Sequence, residues 1–415
     1  MASKSNLAIP PNRRPEAELL LCCARTQLAA DTTERVGRVL KERIDWNYLM
    51  HDALYHGTIP LLFWNLSRLA PDDVPKTTLN QLKAASNAIA CWNLSLTGEL
   101  LKLLNLFSER GIRALPLKGP VLAAAAYGNL AFRQFCDLDI LVPKEDMLKA
   151  KEVLMLEGYH PKLDLTAGEE AAYLESHHDY KFVRPKDGVV VEIQWGVTQW
   201  SFAFPFDFED AWKYRQVISV AGASVLNIAP EILLLMLCVH GTKHRWEQLK
   251  WICDIAEIVD TYREKLDWDR LMDQACNLGG ERMLLLGLSL SSDLLGARLP
   301  DALVKKIANN CSVKSLAGQV IGRLFGDRSN PNLLVELEEG PFFFWSARER
   351  WRDKLAIAWR YFPEYFHRLI VPNNGDKEFL KLPPSLSLGY YLVHPVRLMK
   401  DYWSESRRRA ARTGK

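Results

Sequence analysis

No apolar run in this 415-residue sequence approaches the roughly 18 to 20 residues that a membrane-spanning helix needs, and the leading "MASKSNLAIPPNRRPEAE" lacks the apolar centre of a secretory signal. An excess of charge of one sign is also missing. With 53 Lys and Arg against 50 Asp and Glu, the formal net charge of +3 demands neither a nucleic-acid nor a membrane partner. The eight cysteines are scattered without CxxC spacing, which argues against zinc-binding patterns and suits reduced thiols better than a disulfide framework. Internal repeats and low-complexity tracts are absent as well. What remains is a composition of 48% hydrophobic and 25% charged residues, expected of a cytoplasmic globular protein with about two or three domains and a sizeable core.

Hydrophobic periodicity divides the chain. Residues 1–14 are polar and Pro-rich, an expected disordered lead, and 15–110 read as helical from "PEAELLLCCARTQL", "WNYLMHDALYHGTIPLLFWNLSRL" and "LTGELLKLLNLFSERG". The period then changes. "IRALPLK" and "CDLDILV" read as strands, "KEDMLKAKEVLMLEG" as a helix stopped by Gly158, and "HDYKFVRPKDGVVVEIQW" as two strands around an Asp187-Gly188 turn. These make a small α/β unit over 111–215. A helical domain over 216–330 follows, and 331–415 reads as an aromatic, basic helical region with a mobile tail, "SESRRRAARTGK". The expected fold class is α+β, mostly helical, with a small mixed sheet embedded between helical domains.

Two aspartates interrupt "DLDILV", a segment that otherwise reads as buried strand, where an unpaired carboxylate is costly to desolvate. Side chains alternate faces along a strand, so Asp137 and Asp139 share one face, their Cα atoms roughly 6 to 7 Å apart, while Leu138 and Ile140 take the other. Carboxylates so placed can hold divalent metals. In "VVVEIQW", Glu192 shares a face with Val190 and Gln194, opposite Val189, Val191 and Ile193. Upstream, Lys118 and Gly119 precede a helix opening at Pro120, where glycine lets a phosphate approach closely and the first turn offers free N–H groups. Arg133 has two readings, a phosphate contact or a pair with the aspartates.

The stretches "GIRALPLKGPVLAAAAYGN", "RQFCDLDILV", "VVVEIQW" and "HGTKHRWEQLKWICDIAEI" together resemble the nucleotidyltransferase superfamily of the DNA polymerase β type, within it the bacterial branch of uncharacterised nucleotidyltransferases. The resemblance spans residues 45–260. It implies a nucleotidyltransferase-type mixed sheet and transfer of an NMP from an NTP donor to an acceptor, with release of pyrophosphate. It also implies two Mg²⁺ ions, with Mn²⁺ as the alternative, held by a pair of aspartates and a third acid on a neighbouring strand. Carried over, the catalytic and metal-binding acids are Asp137, Asp139 and Glu192. Nucleotide would be bound by Lys118, Gly119 and Arg133, with Lys243 and His244 from a helical segment that closes over it. The turn is Lys-Gly where the superfamily usually has Gly-Ser, and 17 residues separate Gly119 from Asp137. The acceptor, whether small molecule, sugar, protein or RNA, stays open. Rival readings are a toxin-like transferase acting on tRNA or protein, favoured by the basic tail, and a catalytically silent nucleotide-binding scaffold.

Weaker signals surround this constellation. His240 and His244 have the spacing of a helical metal pair, but Gly241 intervenes and no metalloprotease-type Glu follows, which disfavours zinc. Trp246 is a candidate for stacking on a base. Glu247, Lys250, Asp254 and Glu257 recur at three and four, as a solvated helix face does. His177, His178 and Asp179 read as rim positions, Cys22 and Cys23 as core, and Phe344, Trp351, Leu355 and Trp359 as a core-facing helical stripe.

Overall fold

Alternating burial in two apolar segments sets the sheet around which the chain is organised. The computed structural model describes residues 14–197, 204–326 and 342–359, with isolated positions between 371 and 400. The chain divides into two units, Met1–Gly326 and Asp327–Lys415. The expected lead over 1–14, except Arg14, and the basic tail lie outside the described residues.

The first unit opens with helices α1 (Pro15–Cys22), α2 (Ala30–Val39), α3 (Trp46–His56), α4 (Ile59–Leu69) and α5 (Lys76–Glu109). Helix α5 is long because its apolar positions keep their period; Leu96, Leu100, Leu103 and Phe107 form one stripe that enters the core of the sheet. Next come β1 (Leu115–Pro116), α6 (Gly119–Tyr127), β2 (Asp137–Leu141), α7 (Met147–Leu156), β3 (His160–Pro161), α8 (Ala167–Ser176), β4 (Asp179–Arg184) and β5 (Val189–Gln194). The strand order is β1-β2-β5-β4-β3. Only β2 and β5 run parallel, with Asp137 opposite Val190 and Asp139 opposite Glu192; the other pairs are antiparallel, so the fold is α+β with a mixed sheet.

Leu138, Ile140, Val191 and Ile193 are wholly buried beneath this sheet. Each such side chain contributes about 1.5–3 kcal/mol relative to exposure. The period of two places Asp137, Asp139 and Glu192 on the opposite face.

After the short α9 (Phe208–Lys213), the hairpin β6 (Arg215–Val220) and β7 (Ala223–Ile228) lies where the sequence suggested the start of a helical domain. Its turn uses Ala221 and Gly222, both at positive φ. Helices α10 (Pro230–Lys243), α11 (Leu249–Thr261), α12 (Trp268–Leu278), α13 (Glu281–Leu295), α14 (Asp301–Ala308) and α15 (Cys311–Leu324) complete the unit. Helix α10 is buried around nearly its whole circumference, as its unbroken "PEILLLMLCV" requires.

In the second unit, the stripe expected in the core divides. Phe344 is buried, but Trp351, Leu355 and Trp359 are 71%, 62% and 79% exposed. Asp353 and Ile357 take the inward face of that helix instead, the former through an ion pair with Arg348 at 2.8 Å.

Candidate active site

The turn after β1 brings the first cation to the acids. Leu117 N donates to Asp139 O at 3.0 Å, extending the β1–β2 ladder by one residue. The chain then reverses through Lys118 into Gly119 at φ +54°, a left-handed conformation that glycine adopts without strain. Lys118 Nζ thereby lies 3.7 Å from Asp139 Oδ2 and donates to His240 Nδ1 at 3.1 Å.

Parallel pairing brings Asp139 beside Glu192, and Gln194 ties them together. Its Nε2 donates to Asp139 Oδ1 and Glu192 Oε1, each at 2.8 Å. On the neighbouring β4, Lys181 stands opposite Glu192 and reaches its Oε2 at 2.8 Å. Burial, followed by the charge of Asp139, raises the carboxyl pKa values of both Asp137 and Glu192 above the ordinary range.

The end of α10 supplies the other wall. Lys243 Nζ lies 3.4 Å from His178 Nε2, and His178 Nδ1 is 3.2 Å from Asp179 Oδ1. Burial, and next the charge of Lys243, hold both His178 and His244 at about 4; burial and Lys118 hold His240 well below its ordinary range. All three imidazoles are therefore neutral at pH 7 and can accept from the lysines. His240 and His244 lie against Trp251, with ring centroids 5.6 and 5.2 Å away. A small pocket beside the acids is lined by Lys118, Gln194, Leu233, Met236, Leu237 and His240.

Of the residues singled out in the sequence, Asp137, Asp139, Glu192, Lys118, Gly119, Lys243 and His244 come together over the β2–β5 face of the sheet. Arg133 points elsewhere. Its guanidinium is bidentate to Asp254, at 2.7 and 2.9 Å, with Tyr127 OH donating to the same carboxylate, so its carboxylate partner is Asp254 of α11 rather than a strand aspartate. Trp246 is wholly buried rather than poised over a base, because Gly241 and Gly287 leave it room; a Cβ on Gly241 would lie 2.6 Å from its ring. The charged face of α11 is not solvated either, since Asp254 and Glu257 are buried against Arg133 and Arg25.

Sequence reasoning missed Lys181, Gln194, His178 and Asp179 as neighbours of the acids. Gln194 shares its strand face with Glu192, a usable signal; the others depend on the β4–β5 register and on where α10 ends.

A crystal structure of an antigenic nucleotidyltransferase-like protein from Paracoccidioides brasiliensis matches 51% of this chain and 96% of its own, at 16% identity and a TM-score of 0.29, a likeness too distant to assign anything here. No curated protein matches. Residues 42–296, more than half of the chain, match the family described as uncharacterised nucleotidyltransferase, and the protein therefore belongs to that nucleotidyltransferase family.

Proposed function

We propose that the protein moves an NMP from an NTP to an acceptor hydroxyl, releasing pyrophosphate, with Mg²⁺ held by Asp137, Asp139 and Glu192. The observation that carries this reading is the pairing of Asp139 with Glu192 across parallel strands, joined by one amide nitrogen, beside the Lys118-Gly119 turn. Among the described residues no three of His, Cys, Asp or Glu form a ready metal cage. Mg²⁺ usually binds through one or two carboxylates together with substrate phosphates and water, so this donor set fits an ion that enters with the nucleotide. Like-charged acids with raised carboxyl pKa values are also an arrangement that a divalent cation completes. When bound, it would neutralise the phosphates and favour ionisation of the acceptor hydroxyl.

The protein's own groups supply the rest. Lys118 and Lys243 bind the triphosphate as point charges, and neutral His240 and His178 orient their ammonium groups. Glu192 receives the acceptor proton as the acceptor oxygen bonds to the α-phosphorus. The bond from that phosphorus to the α–β bridging oxygen breaks, and pyrophosphate carries away the electron pair.

Calorimetric titration with each NTP, with and without Mg²⁺, tests the reading. Binding should require the metal and disappear when Asp137→Asn and Asp139→Asn are combined. Metal-independent binding, or no binding of any NTP, would count against it. Incubation with α-labelled NTPs and cell-extract fractions should then transfer label to one acceptor class.

A further inference from the structure

We propose that the second unit carries a surface for docking on an anionic lipid bilayer, formed by the outward face of the helix over 351–359. The proposal does not rest on the nucleotidyl-transfer reading.

Side chains at i, i+4 and i+8 share one side of a helix, which aligns Trp351, Leu355 and Trp359. All three are exposed, while Asp353 and Ile357 are buried on the opposite side. An ion pair holds that rotation. Arg348, wholly enclosed, donates from Nη2 to Asp353 Oδ2 at 2.8 Å, so turning the tryptophans inward would break a buried pair and strand its charges.

Cations flank the apolar stripe. Arg352 is exposed on one side, and on the other Lys354 lies across aromatic rings, its Nζ 5.6 and 5.4 Å from the ring centroids of Trp345 and Trp351. Those two rings meet edge to face, with centroids 5.9 Å apart. Apolar body inward and charge at the margin is the disposition of side chains at a lipid headgroup boundary.

The same unit repeats the pattern. In the helical stretch 390–397, Leu392 and Val396 are four apart and exposed, followed by Arg397 and Lys400. Half of the exposed large apolar side chains among the described residues belong to this unit, which supplies only a small part of those residues. Such a concentration marks an interaction surface.

Charge names the partner. Beyond Gly326, Lys and Arg outnumber Asp and Glu, whereas the acids prevail before it. An anionic bilayer answers both features, since acyl chains receive Trp351, Leu355 and Trp359 while lipid phosphates pair with Arg352 and Lys354. Nucleic acid would use the charge and the rings but not Leu355, Leu392 or Val396, which offer no stacking plane.

Flotation of the full-length protein with vesicles tests this. It should bind vesicles of equal parts phosphatidylcholine and phosphatidylglycerol, and bind phosphatidylcholine alone about tenfold more weakly. Combining Trp351→Ala with Trp359→Ala should weaken binding by at least about tenfold, and Arg352→Glu with Lys354→Glu by about tenfold. The tryptophan double variant should keep the wild-type melting temperature, because both rings are exposed. Absent vesicle binding, undiminished binding by that variant, or equal binding to phosphatidylcholine alone would overturn the proposal. A marked fall in its melting temperature would do the same, by showing the face covered within the protein. Tryptophan-dependent binding of single-stranded RNA, or a dimer in sedimentation that the double variant abolishes, in a protein that leaves vesicles unbound would reassign the face and overturn it too.

Discussion

The Arg133–Asp254 pair is wholly enclosed, so each charge depends on the other. Asp254→Ala should destabilise the protein by about 3–5 kcal/mol in urea unfolding, because an unpaired guanidinium is left buried. Replacing both residues by apolar ones should cost less. The neutral imidazoles give a pH signature. His178 and His244 are held at about 4 against an ordinary 6.5, so the unfolded chain binds protons more readily between those values. Their contribution is full above about 6.5 and is lost as the pH falls toward 4, roughly 3 kcal/mol for the buried His178 and less for His244, whose ring is solvent-exposed and screened. Urea midpoints measured from pH 7.5 to 4.5 should fall, and His178→Gln should flatten the slope. None of this pairing was legible in the sequence. Acids and bases spaced by three and four look the same whether their helix face meets water or, as at Asp254 and Glu257, meets arginines from distant segments.

Elements were more legible where one face is apolar and the other is not. The strands β2 and β5 and the helices α5 and α7 follow from period, α10 from its unbroken apolar run, and the acids stood out because they interrupted an apolar strand. The hairpin β6–β7 escaped because most of its side chains are exposed or only partly buried, leaving little apolar stripe to read. Close packing of elements was also hidden. Gly241 and Gly287 stand inside helices, where glycine is unfavourable, and they are the seats for Trp246 at the junction of α10 and α13. Gly241→Ala should therefore lower stability by roughly 1–3 kcal/mol through overpacking, whereas Gly318→Ala, with open space around it, should be neutral or slightly stabilising in the same unfolding assay.

At the scale of the whole molecule, the family match begins at residue 42, yet the segment before it belongs to the same structure. Leu19, Leu20 and Cys23 are wholly buried. Arg25 reaches Glu257 at 2.7 Å, Asp260 at 2.6 Å and Leu295 O at 3.0 Å, fastening the end of the first helix to α11 and α13. Deletion of residues 1–41 should accordingly abolish a single cooperative unfolding transition, which calorimetry would show. The parallel register of β2 on β5 has a last consequence. Because side chains alternate, a slip of one residue on both strands would turn Leu138, Ile140, Val191 and Ile193 to water and send Asp137, Asp139 and Glu192 into the core. Register and acid placement are thus one property: a chain that misplaced these acids would also have lost its core.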